Sequence, residues 1–301
     1  MNKPLSSSEV LGFGGLWDTT WGKMRLAVND DKVEGLYHYS SGSSISGELV
    51  DDKLQFRYKE PDAEGEGWFK IKQDGRSFSG QYRAAGEKEW QPWNGERLCE
   101  DESEWLVIFE AHWEASLAER EYAFGEMLRN YFKMADAKHV KVRHRFFHDS
   151  DDLVRFCGEV ALLPGSVVLL IATHGDDKGI TVDGKTIGGK EIALGLRDAS
   201  NVKLLHLSGC LMMKGELPDR IFSHLQNPRF PFTGYSREVG WDSSAIADFT
   251  FLSMILIHGM DPKTAVEETH RVAPFTGNKV QRGSVFQAQG LEIKQPPSPA
   301  E

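Results

Sequence analysis

A histidine and a cysteine close two short apolar runs in this chain. The first run is Ser166-Val167-Val168-Leu169-Leu170-Ile171-Ala172-Thr173-His174-Gly175, and the second is Asn201-Val202-Lys203-Leu204-Leu205-His206-Leu207-Ser208-Gly209-Cys210. An imidazole beside a thiol is the minimal equipment of a cysteine hydrolase, because the thiolate is the nucleophile and a base must be within reach to create it. In that chemistry Cys210 attacks a carbonyl and His174 moves the protons. The backbone N–H groups of Gly175 and Cys210 are the natural donors for the oxyanion that forms. Taken alone, Cys210 also fits a buried structural thiol, since free cysteine is among the most buried residue types. Its place at a run's end, with Gly209 before it to permit a tight turn and His174-Gly175 matching it one run earlier, favours the catalytic reading.

The elements that must position these groups follow from periodicity. Short Val/Ile/Leu-rich runs, each fed by an amphipathic segment, read as parallel strands buried on both faces, and in open α/β sheets the ligand site lies beyond the strand carboxyl ends. The pattern predicts a strand over 105–110, a helix over 116–135, a strand over 140–147 and a helix over 149–163 opened by acidic cap residues. After the His174 strand come a hairpin at Thr181-Val182-Asp183-Gly184-Lys185-Thr186 and a helix over 190–197. The Cys210 strand, a helix over 218–224 and a closing strand over 232–235 complete a mainly parallel sheet covered by helices on both faces.

Other groups are weaker candidates. His206 shares the side-chain parity of Cys210 but lies four residues back, too far to act on the thiol directly. His112, after the first strand, is placed either to orient the site or in a surface loop. No Cys or His pair has metal-ligand spacing, and Gly184, Gly188 and Gly189 do not form a phosphate loop, so neither a metal nor another cofactor is expected.

The chain has 301 residues, long enough for an ample core without staples. Its three cysteines, Cys99, Cys157 and Cys210, are odd in number and widely spaced, and Met1 to Ser8 carries no secretory pattern, which points to a reducing, cytoplasmic compartment. The longest apolar stretch, 249–257, is broken by His258-Gly259, so no membrane span is expected. A net charge of −10 argues against a general nucleic-acid binder. The basic stripe from Lys138 to Arg145 alternates Val140 and Val142 with charges, as an edge strand with one solvated face does.

Residues 12–97 have a different texture. Aromatic residues and glycines recur at short intervals, and turn signals such as Asn29-Asp30-Asp31 and Gln73-Asp74-Gly75 separate about seven or eight antiparallel strands. Such a meander closes into a barrel or small sandwich, by architectural analogy an up-and-down barrel of lipocalin or avidin-like shape. The tryptophans either fill it or, through Trp17, Trp21, Trp90 and Trp93, make a recognition surface. The acidic stretch Leu98-Cys99-Glu100-Asp101-Glu102-Ser103-Glu104 marks the domain boundary. This predicts a β-domain over 1–98, an α/β domain over 104–290 and a disordered tail over 291–301.

From about 104 to 275 the chain resembles the caspase-fold cysteine peptidases, in particular their bacterial CHAT-type branch. The likeness rests on a strand ending in His174-Gly175 and a next strand ending in Gly209-Cys210. It extends through Phe232 to Ser236, Trp241-Asp242, the helix from Ala245 to Met260, Asp261-Pro262 and Ala265-Val266. The resemblance implies an α/β/α sandwich and an intracellular endopeptidase acting on protein or peptide substrates. It also implies a setting in bacterial antiviral defence or regulated death, with an activating partner or signal read by the β-domain. Two departures stand out. The nucleophile segment is Ser208-Gly209-Cys210-Leu211-Met212 rather than Gln-Ala-Cys followed by a small residue and Gly, so a preference for Asp substrates is not implied. Ser208 stands where relatives that cleave after Arg or Lys often carry Asp. The resemblance places Ser208, Trp241 and Asp242 in the substrate pocket, where Asp242 would favour Arg or Lys; its other reading is a helix cap. A caspase-fold scaffold or binding protein that has lost catalysis is the alternative, and a barrel-based ligand carrier a third.

Overall fold

A computed structural model describes residues 12–38, 43–98, 103–114, 118, 123–135, 137, 139–225, 228, 230–273 and 290–297. The chain divides into two compact units, Met1–Asp101 and Glu102–Glu301.

The first unit is an antiparallel meander. Its strands are β1 (Gly15–Thr19), β2 (Gly22–Asn29), β3 (Lys32–Tyr37), β4 (Ser44–Val50), β5 (Lys53–Lys59), β6 (Glu64–Ile71) and β7 (Ser77–Ala84), followed by the short β8 (Gln91–Pro92) and β9 (Gly95–Arg97). Each of β1 to β7 pairs with the next, and β9 bridges β7 to β1, so the ring closes on eight strands as an up-and-down barrel without open edges. The closure has a sequence cause. Phe56 lies opposite both Gly47 and Gly67, Tyr58 opposite Gly65, Phe69 opposite Gly80 and Phe78 opposite Gly95. Each large ring therefore lies against a residue with no side chain, and a small barrel can be filled to the axis. Trp17 and Trp93 belong to this core, with indole N–H groups donating to Phe13 O at 2.8 Å and Thr19 Oγ1 at 3.1 Å. Trp21 is half-buried against Tyr82, and Trp90 is exposed beneath the Arg83 guanidinium. The four tryptophans therefore do not share one solvent-facing patch. A Cβ at Gly67 would run into the Phe56 ring and lie 2.7 Å from Gln81 O. Gly67→Ala is accordingly expected to destabilise the barrel by about 1–3 kcal/mol, read as a lowered denaturant midpoint; an unchanged midpoint would show that Phe56 can move aside.

The second unit runs β10 (Glu104–Glu110), α1 (Phe124–Met134), β11 (Val140–Phe146), α2 (Ser150–Val160), β12 (Ser166–Ala172), β13 (His174–Gly175), β14 (Ile180–Val182), β15 (Lys185–Ile187), α3 (Gly189–Leu196), β16 (Val202–Ser208), α4 (Leu217–His224), β17 (Phe232–Tyr235), α5 (Trp241–Leu256), α6 (Pro262–Val272) and β18 (Leu291–Lys294). Six strands form one sheet in the order β11-β10-β12-β16-β17-β18. The first five are mutually parallel, while β18 runs antiparallel to β17. The sheet is therefore mixed: the expected parallel order covers five strands and fails at the edge. Residues 291–294, expected within a disordered tail, form that edge because Leu291 is buried with Ala265 and Val266 of α6 and Tyr235. The basic stripe is β11, at the opposite edge, with its alternating residues more exposed as the pattern predicted.

Strand parity divides the core. Leu106, Ile108, Val168, Leu170 and Leu204 face α1, α5 and α6. On the other face Phe109 packs on Phe156 of α2, and Phe232 stacks on Phe222 of α4 at 4.0 Å. Asp149 caps α2 by accepting from Asp152 N, and Asp261 caps α6 by accepting from Lys263 N and Thr264 N. The helix expected over 116–135 is described only from Phe124, and its N-cap residue, Ala123, has no capping side chain. Among the described residues no helix is long and apolar enough to cross a membrane.

Candidate active site

Two neighbouring strand ends deliver the candidate pair at the carboxyl edge of the sheet. β12 and β16 are adjacent and parallel, with Ala172 opposite Ser208, so His174 and Cys210 emerge two residues past neighbouring strand ends with the same parity. His174 is then held by a second device. It begins β13, which pairs with β14, opposite Thr181, while Thr173 Oγ1 donates to Thr181 O at 2.9 Å. That arm is the hairpin expected from Asp183-Gly184: both residues have positive φ, 47° and 73°, the geometry of a tight two-residue turn.

The two side chains line one cleft of about 100 Å³, walled by Trp113, Phe124, Val239 and Trp241 and floored by Ser208 and Gly209. His174 Nε2 lies 3.0 Å from Trp113 O. A carbonyl oxygen only accepts, so Nε2 carries the hydrogen, and in the neutral ring Nδ1 is left as the base. The Trp113 ring packs edge-on to His174 at 5.1 Å and against Trp241 at 4.8 Å. Cys210 is half-buried, with the backbone N–H of Val239 directed at its sulfur at 3.4 Å and Val239 O at 3.8 Å. The sulfur thus faces a backbone acceptor and a backbone donor of the same residue. Leu211, immediately after, has φ +61°, a left-handed conformation that costs a leucine about 1–2 kcal/mol; the turn is tied down by Leu211 N to Arg237 O and Lys214 N to Leu211 O.

Gly175 and Gly209 serve packing. A Cβ at either would collide with Met212, which is fully buried between the two strand ends. The crowding at Gly175 therefore comes from the protein itself. The hairpin register adds something else: Asp176 N donates to Gly179 O, so the next pair, Gly175 with Ile180, is a non-hydrogen-bonded one, and the Gly175 N–H turns away from β14.

Below the floor lies a buried polar cluster that sequence reasoning missed. His206, expected to be remote from the thiol, is fully buried; its Nε2 lies 2.8 Å from Asp248 Oδ1, and its Nδ1 lies 2.9 Å from Thr233 Oγ1. Asp248 also accepts from Ser208 Oγ at 2.6 Å and from Tyr235 OH. Burial, then the neighbouring Asp248 charge, push the Tyr235 phenol well up, so it remains a donor. Of the three residues expected in the substrate pocket, Ser208 and Trp241 line the cleft, and the Asp242 side chain lies outside the described residues. His112 stacks on Phe146 at 4.7 Å and lies 3.5 Å from Glu114; its neighbour Trp113 contacts the histidine instead. Among the described residues no group of three or more His, Cys, Asp or Glu side chains is placed to hold a metal ion.

The cysteines differ in kind. Cys157 is fully buried in α2, and burial pushes its thiol up, away from ionisation. Cys99 lies outside the described residues. Limiting iodoacetamide near pH 6.5 should label Cys210 ahead of Cys157, mapped by peptide mass spectrometry, and Cys157 reacting first in the folded chain would contradict this ordering.

No family model matches the chain, and no curated protein does. Among solved structures it is similar to the crystal structure of caspase-1 from Spodoptera frugiperda, at 11% identity and a TM-score of 0.45, over 65% of this chain and 89% of that one. It is also similar to a structure of pro-sf-caspase-1, at 10% identity and a TM-score of 0.43, over 66% and 93%.

Proposed function

We propose that the chain is a caspase-like cysteine endopeptidase with a His174–Cys210 dyad. The observation that carries this reading is the shared cleft: a half-buried thiol and an imidazole whose Nε2 hydrogen is engaged by Trp113 O open onto one small apolar space at neighbouring strand ends. His174 Nδ1 takes the Cys210 proton, and the sulfur adds to the scissile carbonyl. Collapse of the tetrahedral adduct breaks the C–N bond, with the same proton passing to the leaving amine. The thioester is then hydrolysed by a water that gives its proton to Nδ1, and the thiol is restored as the acid product leaves. Backbone N–H groups of Gly175 and Cys210 hold the oxyanion; the turn of the Gly175 N–H away from β14 supports that assignment. The β-domain, with its own aromatic core, serves recognition of a signal or partner. The resemblance of the second unit to CHAT-type proteases extends the proposal to a bacterial cytoplasmic defence or regulated-death system.

The test is a proteome-wide comparison of protein termini in cells expressing wild type or Cys210→Ala. New termini sharing a residue at the cleaved position should appear only with the wild type. Identical termini in both would remove the proposal.

A further inference from the structure

Glu110, the last residue of β10, is fully buried, and its carboxylate accepts hydrogen bonds from three donors with the His144 ring beside it. Oε1 accepts from the Trp113 indole N–H at 2.7 Å and from the Phe124 backbone N–H at 2.8 Å. Oε2 accepts from the Gly125 backbone N–H at 2.8 Å, and His144 Nε2 lies 2.8 Å from it. Phe124 and Gly125 open α1, whose N-cap residue, Ala123, makes no side-chain cap, so a strand-end carboxylate satisfies two orphan donors of a helix that begins fourteen residues later. Gly125 makes room for this arrangement: a Cβ there would lie 2.6 Å from His144 Nε2.

A carboxylate that only capped a helix would not need the indole. Here the bond from Trp113 Nε1 to Glu110 closes the short turn leaving β10, and the same Trp113 presents its carbonyl oxygen to His174 Nε2. Glu110 is anchored by pairing to β11 on one side and β12 on the other. The acceptor that orients the imidazole is thereby referenced to the sheet rather than to a loop. We propose that Glu110 is a positioning residue for His174, acting through Trp113 to hold the imidazole with its hydrogen on Nε2 and Nδ1 free toward the cleft. This rests on the reading of His174 as the base of the dyad. The requirement is specific to a carboxylate, because an amide of the same shape would set N–H against N–H at one of its two ends.

The test uses the full chain carrying ¹⁵N-labelled histidine, with the His174 signals identified by their absence from His174→Ala. In the neutral form of the ring, wild type should show the hydrogen on Nε2 rather than Nδ1. Glu110→Gln and Trp113→Phe should each shift His174 toward a mixture of tautomers and slow iodoacetamide labelling of Cys210 by roughly tenfold to a hundredfold. Trp113→Phe removes the indole N–H link to Glu110, keeps the backbone carbonyl and an aromatic ring beside His174, and leaves both α1 bonds, so the proposal is exposed even if Glu110→Gln fails to fold. A lowered thermal midpoint with an unchanged His174 tautomer and labelling rate in both variants would make Glu110 a helix cap alone and overturn the proposal. The failure of the dyad reading looks different: His174→Ala would label Cys210 at the wild-type rate while Glu110→Gln still altered the tautomer, which supports the positioning role and removes the catalytic one.

Discussion

Replacing Cys210 or His174 with alanine is expected to reduce peptide-bond cleavage by a factor on the order of 10⁴ or more while the chain stays folded. The size follows from the division of labour. Without the sulfur no acyl-enzyme forms, and without the imidazole neither the thiol proton nor the leaving amine has a partner. Because the two act as a unit, the double variant should lose little more than either single one. The small effect on folding follows from exposure: His174 is solvent-exposed and Cys210 half-buried at the rim of the cleft, so each change should stay within roughly 1 kcal/mol of wild-type stability. Turnover of a peptide taken from the cellular cleavage sites, with circular dichroism and thermal unfolding of the same preparations, measures both quantities. A Cys210→Ala protein that cleaved at the wild-type rate would end the proposed mechanism. One that lost both activity and fold would assign Cys210 to the core.

Asp248→Ala should have the opposite signature, with a stability loss of about 3–5 kcal/mol. The carboxylate is fully buried and is the common acceptor for His206, Ser208 and Tyr235, which come from β16 and β17. Removing it leaves these three polar side chains in a low-dielectric interior without their shared partner, and an unsatisfied buried donor costs about 1–3 kcal/mol. The phenol cannot relieve this by ionising, because burial opposes it. Since Ser208 lies two residues before Cys210 and floors the cleft, labelling of Cys210 should also slow as the strand end loosens. Hydrogen exchange is the suitable measurement, because it reports β16 and β17 separately from the barrel and does not assume that both units unfold together. Protection of residues 204–208 within 1 kcal/mol of wild type would show that water or a neighbouring group replaces the carboxylate.

The barrel and the placement of His174 and Cys210 at neighbouring strand ends were legible in the sequence for the same reason: each is written in local periodicity. Alternation of period two with Gly and aromatic residues marked the meander, and two continuous apolar runs ending in His174-Gly175 and Gly209-Cys210 marked parallel strands that deliver both groups to one sheet edge. The Asp183-Gly184 turn was equally plain, because few residue pairs accept two positive φ angles. What could not be read is what depends on distant partners. The start of α1 at Phe124 has no local cap, since its cap is Glu110, a glutamate that in sequence is one of many acids. Residues 291–294 carry too weak a pattern to mark a strand; burial of Leu291 against α6 and pairing with β17 make them one. His112 drew attention for its imidazole, yet the group that meets His174 is the backbone carbonyl of Trp113, and since every residue has a carbonyl none advertises it. Asp248 and His206, forty-two positions apart, become partners only when α5 is laid across β16. Residue type and period determine which groups reach the edge of the sheet. Which hydrogen each ring keeps, and what holds it there, is decided by contacts between segments that no local pattern encodes.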